Sequence, residues 1–189
     1  MPPKANRVES LAACYSMRFV RRRVFAAVAA SLTVCACASH VGVGVLPSAS
    51  SPVLDQPLAL RLADADGQPI SVRNAEGRPT VLYFWAPTCQ ACGEKVPQLL
   101  DAEPMFGERR ARLVLVGVLD EDESAEDARA ALASWGVDRP FLVVRDRASQ
   151  RRAGLTELPK VMVLDGHGVV SWVAPRGSTA QDILSAVPD

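Results

Sequence analysis

Cys89 and Cys92 are the residues whose type and spacing most directly imply chemistry in this 189-residue chain. A thiolate is the nucleophile of disulfide exchange, and a second thiol three residues on, one helical turn away, can close a small reversible ring with it. Before the pair, Thr80 to Trp85 is a run of β-branched and aromatic residues that reads as a buried strand, stopped by Pro87 and Thr88. An amphipathic helix is predicted to start at the cysteines. Its first turn leaves backbone N–H groups unpaired and carries partial positive charge, which favours a thiolate over a thiol.

The competing readings of the pair are a structural staple and a metal site. So short a ring removes little entropy from the unfolded chain, and a domain of this size does not need one. Thiolates also suit copper(I), which makes a copper-binding module the alternative from outside enzymology. Only Met105 and Met162 lie beyond the signal region, however, and they form no methionine cluster. His40 and His167 stand at a processing site and in a turn, so a Cys-His nucleophile arrangement lacks its base. Neither a metal nor any other cofactor is expected beyond a redox-active Cys89–Cys92 disulfide.

Phe84-Trp85-Ala86-x-x-Cys89-x-x-Cys92, with Pro97 five residues later, resembles the active-site signature of thioredoxin-like proteins. From about Leu54 to Val187 the chain is similar to the extracytoplasmic TlpA/ResA branch of that family. The resemblance implies an α/β thioredoxin fold, a central mixed sheet flanked by helices, with an N-terminal β-hairpin added. It also implies that Cys89 attacks and Cys92 resolves, and that Trp85 lies beside the site as its aromatic residue, with an ordinary core aromatic as the other reading of Trp85. Pro159 would be the cis-proline facing the disulfide, with Leu158, Pro87 and Thr88 contacting substrate.

Three positions depart from the pattern. Tyr83 stands where cytoplasmic thioredoxins place a buried acid, Lys95 where TlpA/ResA proteins commonly carry a glutamate, and Thr88 where a tryptophan often precedes the first cysteine. Exchange chemistry tolerates these changes, but proton relay and partner preference are not carried over.

Elements can be assigned around the motif. Residues 58–62 and 70–72, separated by Asp64-Ala65-Asp66-Gly67, read as the hairpin. Cys92, Val96, Leu99, Leu100 and Phe106 share one helical face, with Pro97 inside the helix. Residues 113–119 form a continuous apolar run, as in a parallel strand buried on both faces. Six acids fall within residues 120–127, but the glycine and glutamate a calcium loop requires are missing. They are read instead as the charged N-terminus of a helix with Ala128, Ala131, Leu132 and Trp135 as its apolar stripe, ended by Gly136. A strand at 141–144, a short helix at 146–153, a strand after Pro159, a turn at 165–168, a last strand at 169–173 and a closing helix at 179–187 complete the chain. Pro159 can open a strand because that position needs no ladder donor.

The first 38 residues hold Lys4, Arg7, Arg18, Arg21, Arg22 and Arg23 against Glu9, and the zero net charge of the whole chain hides them. What remains carries 15 of the 21 basic and 20 of the 21 acidic side chains, a net of −5 and no footprint for nucleic acid. Arg21-Arg22-Arg23 followed by an apolar stretch with small residues at its end has the form of an export signal over residues 1–38, with Met17 as an alternative start. Cleavage before Ser39, lipidation of Cys37 and an uncleaved anchor are the three outcomes to distinguish. A Pro- and Ser-rich linker, residues 39–53, separates the signal from the domain at 54–189. The expected protein is therefore exported, on the periplasmic or extracytoplasmic face of a membrane and tethered there if Cys37 is lipidated. It exchanges dithiol and disulfide with protein partners and is recharged by a membrane reductant. Reduction is the expected direction, with oxidase or isomerase activity on the same fold as the alternative.

Overall fold

Strand β3 (Thr80–Trp85) is buried at every residue, and its unbroken run of large apolar side chains suits a strand covered on both faces. The computed structural model of the chain describes Ser48, residues 51–72 and residues 77–189, which fall in one compact unit, Val41–Asp189. The export signal with Met17, Cys14, Cys35 and Cys37, His40 and most of the linker lie outside the described residues.

In chain order the elements are β1 (Leu62–Ala63), β2 (Pro69–Ile70), β3, α1 (Gln90–Asp101), α2 (Glu103–Glu108), β4 (Arg112–Val118), α3 (Ala125–Ser134), β5 (Leu142–Val144), α4 (Arg147–Arg152), β6 (Lys160–Leu164), β7 (Val170–Val173) and α5 (Ala180–Ser185). They build one seven-stranded mixed sheet in the order β2-β1-β5-β4-β3-β6-β7. Strands β3, β4 and β5 run parallel, while β6 lies antiparallel to β3 with Phe84 opposite Lys160 and Tyr83 opposite Val161. Period-two alternation sorts β3 between two apolar clusters. Val81, Tyr83 and Trp85 join Cys92, Val96 and Leu99 of α1, whereas Leu82 and Phe84 join Met162, Leu164 and Val116.

Two expectations are corrected in detail. The N-terminal hairpin is present, but its ladder is only Leu62 with Ile70 and Ala63 with Pro69, held by Asp64 Oδ1, which accepts from the N–H groups of Asp66 and Gln68. Residues before Leu62 do not pair within it. Asp55 N–H and Leu58 N–H donate instead to the carbonyls of Val170 and Gly168, so this stretch runs along the β7 end of the sheet. The helix after the cysteines is also shorter than its apolar stripe suggests. It ends at Asp101, and Phe106 is buried from α2. Pro104 has no N–H for the carbonyl of Leu100, which favours a break there.

The acidic run meets α3 as charge near a helix N-terminus should. Ser124 and Asp127 form a capping box, and the Ser124 hydroxyl and backbone N–H hold the Asp127 carboxyl below its usual range. Thr179 and Asp182 repeat the device on α5. Among the described residues no helix is long and apolar enough to cross a membrane.

Candidate active site

The end of β3 delivers the chain to the head of α1 through Ala86, Pro87 and Thr88, and Cys89 is the N-cap of that helix. Among the described residues no side chain caps it, and its first turn holds no acidic residue. Cys89 N–H donates to the Ala86 carbonyl at 3.0 Å, and Cys92 N–H donates back to the Cys89 carbonyl at 3.0 Å. The two cysteines are joined by a disulfide with Cα atoms 5.3 Å apart. Their environments differ: Cys89 is half-buried, while Cys92 is fully buried among Val96, Leu99 and the β3 side chains. A half-buried cysteine beside a fully buried one fits a pair in which one thiol meets a partner and the other closes the ring.

Leu158–Pro159 is a cis peptide bond immediately before β6. Ala91, from between the cysteines, and Pro159 line the same groove of about 570 Å³, so the fold brings the disulfide turn and the proline loop together. The groove continues between α1, which supplies Glu94 and Lys95, and the loop after β7, which supplies Arg176 and Ser178. Leu158 lies half-buried on its floor, outside the ladder that begins at Lys160. Pro87 is half-buried and Thr88 exposed beside Cys89.

Trp85 is placed in the core. It is fully buried, edge-on to Trp135 at 5.3 Å and to Phe141 at 5.9 Å between ring centroids, and among the described residues its Nε1 has no hydrogen-bond partner. A partner protein cannot touch it, so its influence on the site passes through packing. The departures from the family pattern have defined places. Tyr83 Oη donates to the Cys92 carbonyl at 3.0 Å, and burial pushes its phenol up. Lys95 Nζ donates to the Ser178 carbonyl at 2.7 Å and ties α1 to the loop before α5.

Sequence reasoning placed Trp135 only on a helical stripe, yet its indole lies directly on Gly93. A Cβ there would sit 2.5 Å from the ring nitrogen. A tryptophan at a helix end and a glycine just after the second cysteine were the available signals, but nothing local connects them. Lys160, Arg176 and Glu157 were likewise not singled out, because their common groove exists only once β6 and the loop after β7 are assembled. Among the described residues no group of three or more His, Cys, Asp or Glu side chains is arranged around a metal position.

The AhpC/TSA family matches residues 53–173, which is more than half of the chain and includes both cysteines and Pro159. The chain belongs to the AhpC/TSA family. Within the curated relatives it is similar to a thiol-disulfide oxidoreductase ResA of Halalkalibacterium halodurans, 24% identical over 67% of this chain and 70% of that protein. It is also similar to a thiol:disulfide interchange protein DsbE of Xylella fastidiosa, 28% identical over 73% of this chain and 62% of that protein. A solved thioredoxin-like protein from Porphyromonas gingivalis superposes with a TM-score of 0.56 at 20% identity, covering 71% of this chain and 91% of that one. These likenesses agree with the thioredoxin-like fold expected from the sequence.

Proposed function

We propose that this AhpC/TSA-family chain is an exported thiol-disulfide oxidoreductase that reduces disulfides in extracytoplasmic protein partners. The observation that carries the reading is the asymmetric pair at the uncapped head of α1, Cys89 accessible and Cys92 enclosed. The likeness to the ResA thiol-disulfide oxidoreductase and the DsbE thiol:disulfide interchange protein supports the reaction class.

In the dithiol form, the Cys89 thiolate attacks one sulfur of the partner disulfide. A mixed disulfide forms and the partner's other sulfur leaves as a thiolate that takes up a proton. Cys92 then loses its proton and attacks Cys89 Sγ. The Cys89–Cys92 bond closes, the partner's second thiol is released, and two electrons have moved from this chain to the partner. A partner segment is held beside the disulfide along Leu158 and Pro159, with Pro87 and Thr88 on the other side of Cys89. The oxidised chain is returned to the dithiol by a membrane-bound dithiol donor. The basic and apolar N-terminus supports export, and its processed mass distinguishes a lipidated Cys37 from a free Ser39 terminus.

Trapping tests the roles. Reduced Cys92→Ser should accumulate covalent complexes with disulfide-bonded partners, and reduced Cys89→Ser should accumulate few. The opposite pattern would reverse the assignment, and complexes with neither variant would remove the exchange reading.

A further inference from the structure

Thr88 precedes the first cysteine as a small polar residue and Trp85 is enclosed, so neither offers a partner an aromatic surface at the site. Trp135 is placed differently. Phe141, Trp85 and Trp135 stand edge-on in series, and of the three only Trp135 is half-buried rather than buried. The outer end of the series reaches the head of α1. There the indole edge formed by Nε1, Cδ1 and Cε2 rests on Gly93, where a Cβ would sit 2.5–2.8 Å from those atoms.

Gly93 lies inside α1 and is not one of the positive-φ glycines, so its backbone has no need of glycine. Glycine weakens a helix interior relative to alanine, and what it gives here is room for the ring. Gly93 follows Cys89 by four residues, so the two stand one above the other on one flank of the helix, and a Cβ at Gly93 would tilt back toward Cys89. The ring that fills this place therefore lies alongside Cys89. Ala91 and Lys95, two residues before and after Gly93 and so across the helix from it, line the Pro159 groove. The disulfide turn is bordered by the proline loop on one flank and by Trp135 on the other.

We propose that Trp135 is the specificity-determining aromatic residue of the exchange site, its ring packing against an apolar or aromatic side chain next to the partner's cysteine in the mixed disulfide. This inference rests on the functional reading above. A partner segment held along Leu158 and Pro159 joins its sulfur to Cys89 and brings a flanking side chain to the far border, where the indole offers a broad, rigid apolar surface. A polar flanking residue gains nothing there, so the contact selects among partners without taking part in electron transfer.

The test uses the purified, reduced chain and two disulfide-bonded peptides that differ only at the residues flanking the cysteine, Phe in one and Ser in the other. The measured quantity is the ratio of their kcat/KM values. The wild type should favour the Phe peptide by about fivefold, the size of one aromatic contact, and Trp135→Ala should bring the ratio to about one. Loosening of α1 alone would slow both peptides and leave their ratio in place. Trp135→Leu, which keeps apolar packing against Trp85, serves if the alanine variant does not fold, and should lower the ratio by about half or more. A wild type that treats the two peptides alike, or a folded variant that keeps the full preference, would overturn the proposal. Failure of the wild type to reduce either peptide overturns the oxidoreductase reading instead. The role of Trp135 is then decided by equilibrium binding of the same peptides with serine in place of cysteine, for which the same preference for Phe is expected and its absence overturns the contact.

Discussion

The hydroxyl of Tyr83 donates to the backbone carbonyl of Cys92 at 3.0 Å, beneath the enclosed half of the disulfide, and both residues are fully buried. A neutral phenol thus occupies the position where the thioredoxin pattern has an acid. It fixes the first turn of α1 from the sheet side without adding charge.

Tyr83→Phe should therefore cost about 1 kcal/mol at neutral pH, the value of one buried hydrogen bond, leaving the shape of the core unchanged. The alkaline limb gives a second readout. The folded phenol titrates above its ordinary value of about 10 because burial disfavours the phenolate. Stability from this group is complete below pH 10 and is lost as pH rises above it towards the folded value. Urea unfolding at pH 7 and pH 11 should show a steeper alkaline loss for the wild type than for Tyr83→Phe. Equal alkaline losses would mean that Tyr83 is not the buried titrating group.

Gly93 and Trp135 make a second dependence across elements. Alanine is the better helix former by about 1 kcal/mol, so helix propensity alone predicts that Gly93→Ala stabilises. The packing predicts the reverse. The new methyl would meet the Trp135 ring at 2.5–2.8 Å, and that ring is held edge-on against Trp85. Gly93→Ala should destabilise by about 1–3 kcal/mol. In a Trp135→Ala background the same change should be neutral or stabilising, so the two substitutions will not add. Additive costs in denaturant melts would show that the ring is free to move aside.

Helix and strand positions were legible wherever a local pattern had one structural solution. The apolar run of β3, the capped acidic start of α3 and the proline before β6 fall where the sequence places them. What was not legible depended on chain segments distant in sequence. Residues 58–62 have the alternation of a hairpin strand, but only Leu62 of them enters the hairpin, and the N–H groups of Asp55 and Leu58 donate to the carbonyls of Val170 and Gly168, more than a hundred residues later. Lys160 reads locally as an ordinary charged residue at a strand entrance, and only the assembled fold pairs it with Phe84 and brings its ammonium near Gly154. Trp85, expected beside the site as its aromatic residue, is enclosed by Trp135 and Phe141 from other elements.

The direction of electron flow is the remaining consequence of the local electrostatics at α1. A strong oxidant of this chemistry stabilises its attacking thiolate heavily, to a pKa of about 3.5 in the extreme case. Here Gln90 and Ala91 stand between the cysteines, both exposed and uncharged, and no side chain caps the helix. The helix N-terminus acts with little help, since its macrodipole contributes about 0.3–1 kcal/mol where it is exposed to water. The reduced state is then only moderately favoured, and the couple should lie nearer the thioredoxin end, about −270 mV, than the oxidant end, about −120 mV. Equilibration of the purified chain with glutathione redox buffers measures this directly. A Gln90→His substitution, which adds a titratable cation next to Cys89, should raise the potential. A wild-type value above about −150 mV would make the chain an electron acceptor for partner thiols and replace reduction with oxidation as its direction.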